Sequence, residues 1–477
     1  MISVSAVFPL AAVVLGALVV LLLEAFRNTE NKSYLGFVAI ASLLASGLLA
    51  AGSWDRGCTY FGGALVLDRL AIFVSILFCA AVALVILLSM RYMAEQEANH
   101  GEIYALLLFA LSGMMIMTST RDLLVMFLGL EVLSISCYAL AGMRRRDAKS
   151  GEAALKYFLL GSFASAFLVL GLAFLFGATE SLGVPEIIRA FSHGGLSVLG
   201  IFGVGLVVAG FGFKIAIVPF HMWTPDVYEG APTPVTAFFS VGPKAAGFLV
   251  FVRIFLNFWQ AVPGATLVFS AVWLMSALTM VIANLVALRQ TNVKRLLAYS
   301  SIAHAGYILI AVLAGDPAGL VFYLTAYVFM NIGAFAALIG LSRRGQEFLE
   351  IEDFAGIGFK YPWIGGAFAV FLLSLAGFPP TAGFLAKFYV FSAAVRQGLT
   401  PLVIIGVLAS LVSVFYYLRI IVAMYMKEPS RDVTIGQENP ALYLVLFLCL
   451  YGVLQLGIFP GHILSAIRQA VSTLLLP

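Results

Sequence analysis

Six basic side chains sit inside long apolar stretches of this 477-residue sequence: Lys156, Lys214, Lys244, Arg253, Lys387 and Arg419. Glu131 and His304 join them, with Glu24 and His221 at the edges of such stretches. An ionisable group at the middle of a bilayer costs roughly 2.5–3.5 kcal/mol on insertion scales, so it normally faces other helices or water and marks a functional position. Lysine suits proton work, because removal from water lets it shed its proton near neutral pH, whereas arginine stays charged. Glu131, in Phe127-Leu128-Gly129-Leu130-Glu131, and Lys214, in Gly212-Phe213-Lys214, both fall near mid-depth. A carboxylate beside such a lysine holds it protonated, and its withdrawal releases the proton. The same two residues could also form a static ion pair that orders two helices. Lys244 stands among small neighbours in Val241-Gly242-Pro243-Lys244-Ala245-Ala246-Gly247, which admit another helix or water. His304, in Ser300-Ser301-Ile302-Ala303-His304-Ala305-Gly306-Tyr307, reads either as a hydrogen-bonded packing residue or as part of a wet site. Lys387 follows the Pro379-Pro380 pair in the outer half of its span, and Lys156 lies near the cytoplasmic rim.

By depth, these groups outline a proton route: uptake near Lys156 or Lys214, lateral transfer past Lys244 and His304, release past Lys387. A string of lysines fits a hydrated axis better than a metal site, which gathers carboxylate, imidazole or thiolate ligands. Arg253 and Arg419 lie close to span ends and read as snorkelling residues, and Glu24 reads as a rim residue.

The elements that must position these groups follow from composition. The chain is 62% hydrophobic and 10% charged, with a mean hydropathy of +1.06. Soluble domains carry about 25% charged residues, so a soluble enzyme is excluded, and so is a disordered chain. A spanning helix needs roughly 20 apolar residues. The apolar runs predict an all-α polytopic membrane protein with about fourteen transmembrane helices, at 5–26, 33–52, 68–90, 102–120, 122–141, 152–177, 197–222, 232–257, 263–287, 294–314, 318–342, 361–395, 401–426 and 440–460. Gly377-Phe378-Pro379-Pro380 breaks the twelfth, and Val218-Pro219-Phe220 disturbs the seventh. The N-terminal run lacks a basic flank and reads as a retained first helix, and residues 463–476 as a surface amphipathic helix.

Loops after odd-numbered spans hold 15 basic residues, Lys294, Arg343, Arg344 and Arg431 among them, against 6 after even-numbered spans, Arg56 included. Positive residues stay inside, so both termini are expected on the outer side. Spans seven and twelve each carry a lysine beside a proline break and lie an odd number of spans apart. Spans 4–8 and 9–13 are therefore expected to be two inverted five-helix repeats. The division is residues 1–100, 101–258, 259–427 and 428–477: an N-terminal three-helix segment, the two repeats, and a last span with a surface tail.

A net charge of +4 does not suggest nucleic acid. Cys58, Cys79, Cys137 and Cys449 form no CxxC and read as packing residues. No P-loop and no GxGxxG fingerprint occurs, so an ion gradient or a partner must supply energy. The aromatic content reads as lipid-facing and interfacial material, and Phe415-Tyr416-Tyr417 does not read as a quinone site.

Two long motifs then carry a resemblance: Lys214-Ile-Ala-Ile-Val-Pro219-Phe220-His221-Met222-Trp223-Thr224-Pro225-Asp226-Val227-Tyr228-Glu229-Gly230-Ala231-Pro232-Thr233-Pro234-Val235, and Thr291-Asn292-Val293-Lys294-Arg295-Leu296-Leu297-Ala298-Tyr299-Ser300-Ser301-Ile302-Ala303-His304-Ala305-Gly306-Tyr307. The chain resembles, over nearly its whole length, the antiporter-like membrane subunits of respiratory complex I, the bacterial NADH:quinone oxidoreductase. Trp223–Tyr228, Lys244 in Gly-Pro-Lys-Ala-Ala, and Gly383-Phe-Leu-Ala-Lys387-Phe-Tyr favour one branch of that family. The resemblance implies inverted repeats on spans 4–8 and 9–13, and proton translocation through Glu131, Lys214, Lys244 and Lys387. Lys156 and His304 match a span-six lysine and a mid-membrane histidine of the family. It implies a bacterial inner-membrane location, antiporter-like and small membrane subunits as partners, and no cofactor on this chain. NADH, FMN, iron–sulfur clusters and quinone would belong to other subunits. A subunit of a multisubunit sodium/proton antiporter, of a ferredoxin- or hydrogen-linked complex, or a non-pumping scaffold shares much of this pattern.

Overall fold

Several long helices begin at a residue that can close their first turn. Asp68, Asp122, Asp147, Ser197, Asn292, Asp316 and Asn439 each accept a hydrogen bond from a first-turn backbone amide, satisfying donors that the helix itself leaves free. The computed structural model describes residues 7–27, 32–55, 57–96, 98–342, 347–428 and 439–474. Arg56, Arg343, Arg344 and Arg431, used above for orientation, lie outside them.

The elements are α1 (Phe8–Phe26), α2 (Ser33–Ala51), the hairpin β1 (Cys58–Tyr60) and β2 (Leu65–Leu67), α3 (Arg69–Glu95), α4 (Glu102–Thr118), α5 (Leu123–Ala141), α6 (Ala148–Thr179), α7 (Val184–Gly194), α8 (Val198–Ile215), α9 (Thr224–Gly230), α10 (Thr233–Phe255), α11 (Phe258–Ala261), α12 (Thr266–Ala287), α13 (Val293–Leu313), α14 (Pro317–Gly340), α15 (Ile357–Lys360), α16 (Pro362–Ala376), α17 (Ala382–Arg396), α18 (Thr400–Met426), α19 (Pro440–Ile458) and α20 (Gly461–Ser472). Among the described residues, twelve helices are long and apolar enough to cross a membrane, and α4 and α16 are shorter apolar helices. The protein is a multi-pass helical membrane protein. The strands are antiparallel, with Thr59 opposite Val66.

The core lies along α10, α13 and α14, which are buried almost throughout. Helices apolar on every side belong inside a bundle. These three carry Lys244, His304 and Tyr323, so the chemistry-bearing residues sit in the core.

Both expected breaks interrupt the helices. α8 ends at Ile215, with Ala216 in a left-handed conformation, and regular helix resumes only at α9. Val218 N donates to Thr279 Oγ1 at 2.9 Å, and Trp223 Nε1 to Phe213 O at 3.0 Å. Irregular backbone at membrane depth requires such internal partners. α16 ends at Ala376 and is capped by Gly377, with φ +94°, and α17 starts at Ala382. There Gly383 N donates to Ser374 Oγ at 3.1 Å, and a Cβ on Gly383 would collide with Ser374 O. Gly383→Ala is therefore expected to force α17 off α16, lowering stability by about 1–3 kcal/mol, as overpacking does. Thermal unfolding of the purified protein in detergent measures this. Gly366→Ala, whose Cβ meets nothing within 4 Å, should leave the midpoint unchanged.

Two expectations are corrected. Arg253 does not snorkel: its side chain is 1% exposed and forks onto Asp68. Arg419 donates to the carbonyls of Leu288 and Gln290 at the end of α12. Tyr416 and Tyr417 are fully buried. The amphipathic α7, with Val184, Ile187 and Phe191 turned inward, and the hairpin are additional elements, too short for a search for long apolar runs.

Candidate functional site

Lys214 stands on the last turn of α8, just before the break. Its Nζ donates to Ser134 Oγ on α5 at 3.0 Å and to Tyr157 OH on α6 at 3.5 Å, and lies 5.6 Å from the Tyr157 ring centroid. Glu131 is one turn before Ser134 on the same helix, and its Oε1 accepts from Ser165 Oγ at 2.5 Å. Among the described residues no ion pair joins Glu131 to Lys214. The carboxylate is turned to α6 and the lysine to a hydroxyl on α5.

The second half of the site is one polar web. Lys244 Nζ on α10 donates to both Ser301 O and Ser301 Oγ of α13, each at 2.6 Å. Tyr228 OH of α9 lies 3.3 Å from the same Ser301 Oγ. Ser300, Ser301, His304 and Tyr307 share a helix face through three- and four-residue spacing. Ser300 Oγ bonds Tyr417 OH, which is 3.5 Å from His304 Nε2. His304 Nδ1 is 2.7 Å from Tyr323 OH. Lys387 Nζ donates to Leu375 O at 3.1 Å, Ala376 O at 2.9 Å and Ser410 Oγ at 2.8 Å, and lies 5.1 Å from the Tyr307 ring centroid. Those two carbonyls are among the last of α16, which the helix leaves without partners and which form its negative end. The Pro-Pro break thus builds the seat for Lys387. Asn284 links Tyr416 and Tyr307, accepting from Tyr416 OH at 3.0 Å and donating to Tyr307 OH at 3.1 Å.

The structure therefore brings Lys244, His304 and Lys387 together and holds Lys214 and Glu131 in a second cluster on α5, α6 and α8. Lys156 belongs to neither. Its side chain is 41% exposed, and its Nζ is 2.7 Å from both Asp226 Oδ2 and Glu152 Oε1. Arg295 Nη1 is 2.8 Å from Asp226 and Glu229, and Lys149 Nζ 2.8 Å from Glu229. Lys294, read above as a loop anchor, is instead wholly buried, its Nζ donating to Ala231 O at 2.7 Å. Glu347 lies 3.8 Å from it and 3.5 Å from Arg144. Tyr92 OH donates to Glu347 at 2.8 Å, and Thr233 Oγ1 donates to the same oxygen.

Burial acts to raise Asp226, Glu229 and Glu347. Hydrogen bonds and charge from Lys156, Lys149 and Arg295 outweigh it for Asp226 and Glu229, and those of Lys294, Arg144, Thr233 and Tyr92 for Glu347. All three carboxyls end below their ordinary values. Such a group contributes stability that is present above the unfolded value and lost as pH falls through the folded one. The thermal midpoint of the purified protein is expected to hold from pH 7 to 5 and to fall below about pH 4. A midpoint flat down to pH 3 would contradict the ion-pair account.

Nothing local in the sequence marks Tyr228, Tyr323, Tyr417, Ser134, Tyr157 or Ser410 as part of the site. The three-residue and four-residue spacing around His304 was a usable signal for Ser300 and Ser301, but a tyrosine in an aromatic run looks the same whether it faces lipid or the core. Among the described residues, no group of three or more His, Cys, Asp or Glu could hold a metal ion.

With this geometry in place, known proteins are informative. The sequence profile described as "NADH:quinone oxidoreductase/Mrp antiporter, TM" matches residues 120–413. NADH-quinone oxidoreductase subunit N of Trichlorobacter lovleyi is 45% identical over 94% of this chain and 93% of its own length. Subunit N of Chloroflexus aggregans is 41% identical over 98% and 96%. A chain of respiratory complex I from Thermus thermophilus with bound aureothin superposes with a TM-score of 0.84 at 34% identity, covering 97% of this chain and 100% of that one. A chain of the archaeal membrane-bound sulfane sulfur reductase superposes with a TM-score of 0.88 at 25% identity, covering 99% of this chain and 97% of its own. The buried lysines, the broken helices and these likenesses agree: the chain belongs to the NADH:quinone oxidoreductase/Mrp antiporter family of membrane subunits, on its NADH-quinone oxidoreductase subunit N branch.

Proposed function

We propose that this chain is a proton-translocating membrane-arm subunit of NADH:quinone oxidoreductase, driven by quinone reduction in other subunits. NADH, FMN, the iron–sulfur clusters and quinone belong to those subunits, and this chain contributes no redox centre. It sits in the inner membrane beside antiporter-like and small membrane subunits, with both termini outward. The observation that carries the reading is the arrangement of Lys214, Lys244 and Lys387: each is buried, and each is held by hydroxyl or carbonyl oxygens. Among the described residues, none of the three has a carboxylate in ion-pair contact. A lysine held this way can be charged or neutral at modest cost, as a relay must be.

The roles follow the geometry. Glu131 approaching Lys214 favours its charged form; Glu131 turned to Ser165, as found, favours proton release. Lys244 receives the proton, Ser301, Ser300, Tyr417 and His304 extend the path, and Lys387 delivers it outward. Lys156, in its rim network, positions α9 beneath the break. The division at 1–100, 101–258, 259–427 and 428–477, with inverted repeats, draws support from two matching bridges. Asp122 before α5 pairs with Gly183, and Asn292 before α13 pairs with Glu350, each joining the start of a repeat's second span to the loop beyond its third.

The test is purification of the tagged chain from native membranes. Flavin and iron–sulfur absorption with NADH:quinone activity in the same fraction is expected. A fraction without either that exchanges sodium for protons would replace this reading with an antiporter module.

A further inference from the structure

Lys294 and Glu347 are buried titratable groups that the route above does not use. Glu347 joins parts of the chain distant in sequence: Tyr92 of α3, Arg144 of the α5–α6 turn, Thr233 of α10 and Lys294 of α13. On one side lies a cavity of about 480 Å³ lined by Gln96, His100, Met143, Arg144, Arg145 and Asp147. Arg144 forms part of its wall and pairs with Asp147 at 3.1 Å as well as with Glu347. On the other side lies the Lys244 seat. Lys294 and Ser301 are seven residues apart on α13, so they share a face about 10.5 Å apart along the axis. Their partners are stacked in the same order, because Lys294 holds Ala231 O at the end of α9 and Ser301 meets Tyr228 of α9. The order is cavity, Arg144, Glu347, Lys294, then Tyr228 and Ser301, then Lys244.

We infer that Glu347 is the proton-loading carboxylate at the cytoplasmic mouth of the Lys244 line, held shut by Lys294 and Arg144. The inference rests on the proton-carrying reading given above. In the closed state Glu347 is ionised and neutralised by the two cations. Withdrawal of Lys294 and Arg144 removes the charges that keep Glu347 ionised, and it then takes a proton from cavity water and becomes a neutral acid. The proton then passes through water and the Tyr228 and Ser301 hydroxyls to the neutral amine of Lys244. Glu347 returns to a carboxylate and recloses the mouth. One proton is taken from water and one is placed on Lys244. Tyr92, Arg144 and Lys294 are the titratable or charged groups facing Glu347 from the packed elements, with Asp147 behind Arg144.

The experiment measures NADH-driven proton pumping by the assembled complex in proteoliposomes, per complex, from pH 6 to 9. Glu347→Gln cannot load a proton and is expected to lower pumping about a hundredfold, the low end for loss of a proton-transfer group. Glu347→Asp keeps the carboxylate and is expected to keep most of the pumping, with its alkaline limb moved. Wild-type pumping by Glu347→Gln overturns the inference, as does a loss that vanishes once assembled complex is counted. A Glu347→Asp variant as inactive as Glu347→Gln also overturns it. Lys244→Ala in the same vesicles separates the layers: its normal pumping overturns the proton-carrying reading itself, whereas normal pumping by Glu347→Gln alone overturns only this assignment.

Discussion

Lys244→Ala is expected to cut proton pumping by the assembled complex about a hundredfold, the low end of what loss of a positioned proton-transfer group costs. Lys244 is where the α9 side and the α13 side of the web meet: its Nζ holds Ser301 O and Oγ at 2.6 Å, and Tyr228 OH reaches the same hydroxyl. Removing the amine leaves hydroxyls that pass a proton but no group that stores one. Lys244→Arg sharpens the test. It preserves a cation and its hydrogen bonds, yet arginine does not give up its proton. The arginine variant is expected to assemble normally and pump as poorly as the alanine variant. Full pumping by Lys244→Arg would show that this position supplies charge alone.

The largest stability effect is expected at the buried clamp between α10 and α3. Arg253 Nη1 and Nη2 donate to the two oxygens of Asp68 at 2.8 Å, and Nε donates to Thr118 O at 2.8 Å. Asp68 also caps α3 through Ala71 N. One fork therefore ties the N-terminal helices and α4 to the helix that carries Lys244. Arg253→Ala leaves a buried carboxylate unpaired, which costs about 3–5 kcal/mol. Most of the chain is expected to be lost from the assembled complex, read by native electrophoresis of solubilised membranes. Arg253→Met with Asp68→Asn removes both charges and keeps a capping side chain, so it is expected to recover much of the loss. Equal assembly of wild type and Arg253→Ala would show that the fork does not hold these helices.

Much of this was legible in the residues themselves. Apolar runs of spanning length fix most helices, and Pro219 and Pro379-Pro380 mark both breaks, because proline removes a donor wherever it falls. Lys214, Lys244 and Lys387 stand out because a charge in an apolar run is costly. What stayed hidden depends on which element arrives from elsewhere in the chain. Arg253 is near a span end by count, and nothing local reveals that Asp68 meets it. Lys294 follows a loop by count, yet α9 and Glu347 cover it completely. Tyr417 has the hydropathy of a lipid-facing aromatic and only tertiary packing sets it against Ser300 and His304. The separation of Glu131 from Lys214 is a choice between hydroxyl partners on α5 and α6, which spacing does not encode.

Protons are expected to cross the membrane through this chain. The most direct measurement is the number of protons moved per NADH oxidised by the purified complex in sealed proteoliposomes, with Lys214, Lys244 and Lys387 all replaced by alanine. A fully assembled triple variant that still reduces quinone is expected to move fewer protons per NADH than wild type. An unchanged ratio in that variant would contradict the account and leave this chain a scaffold for its neighbours.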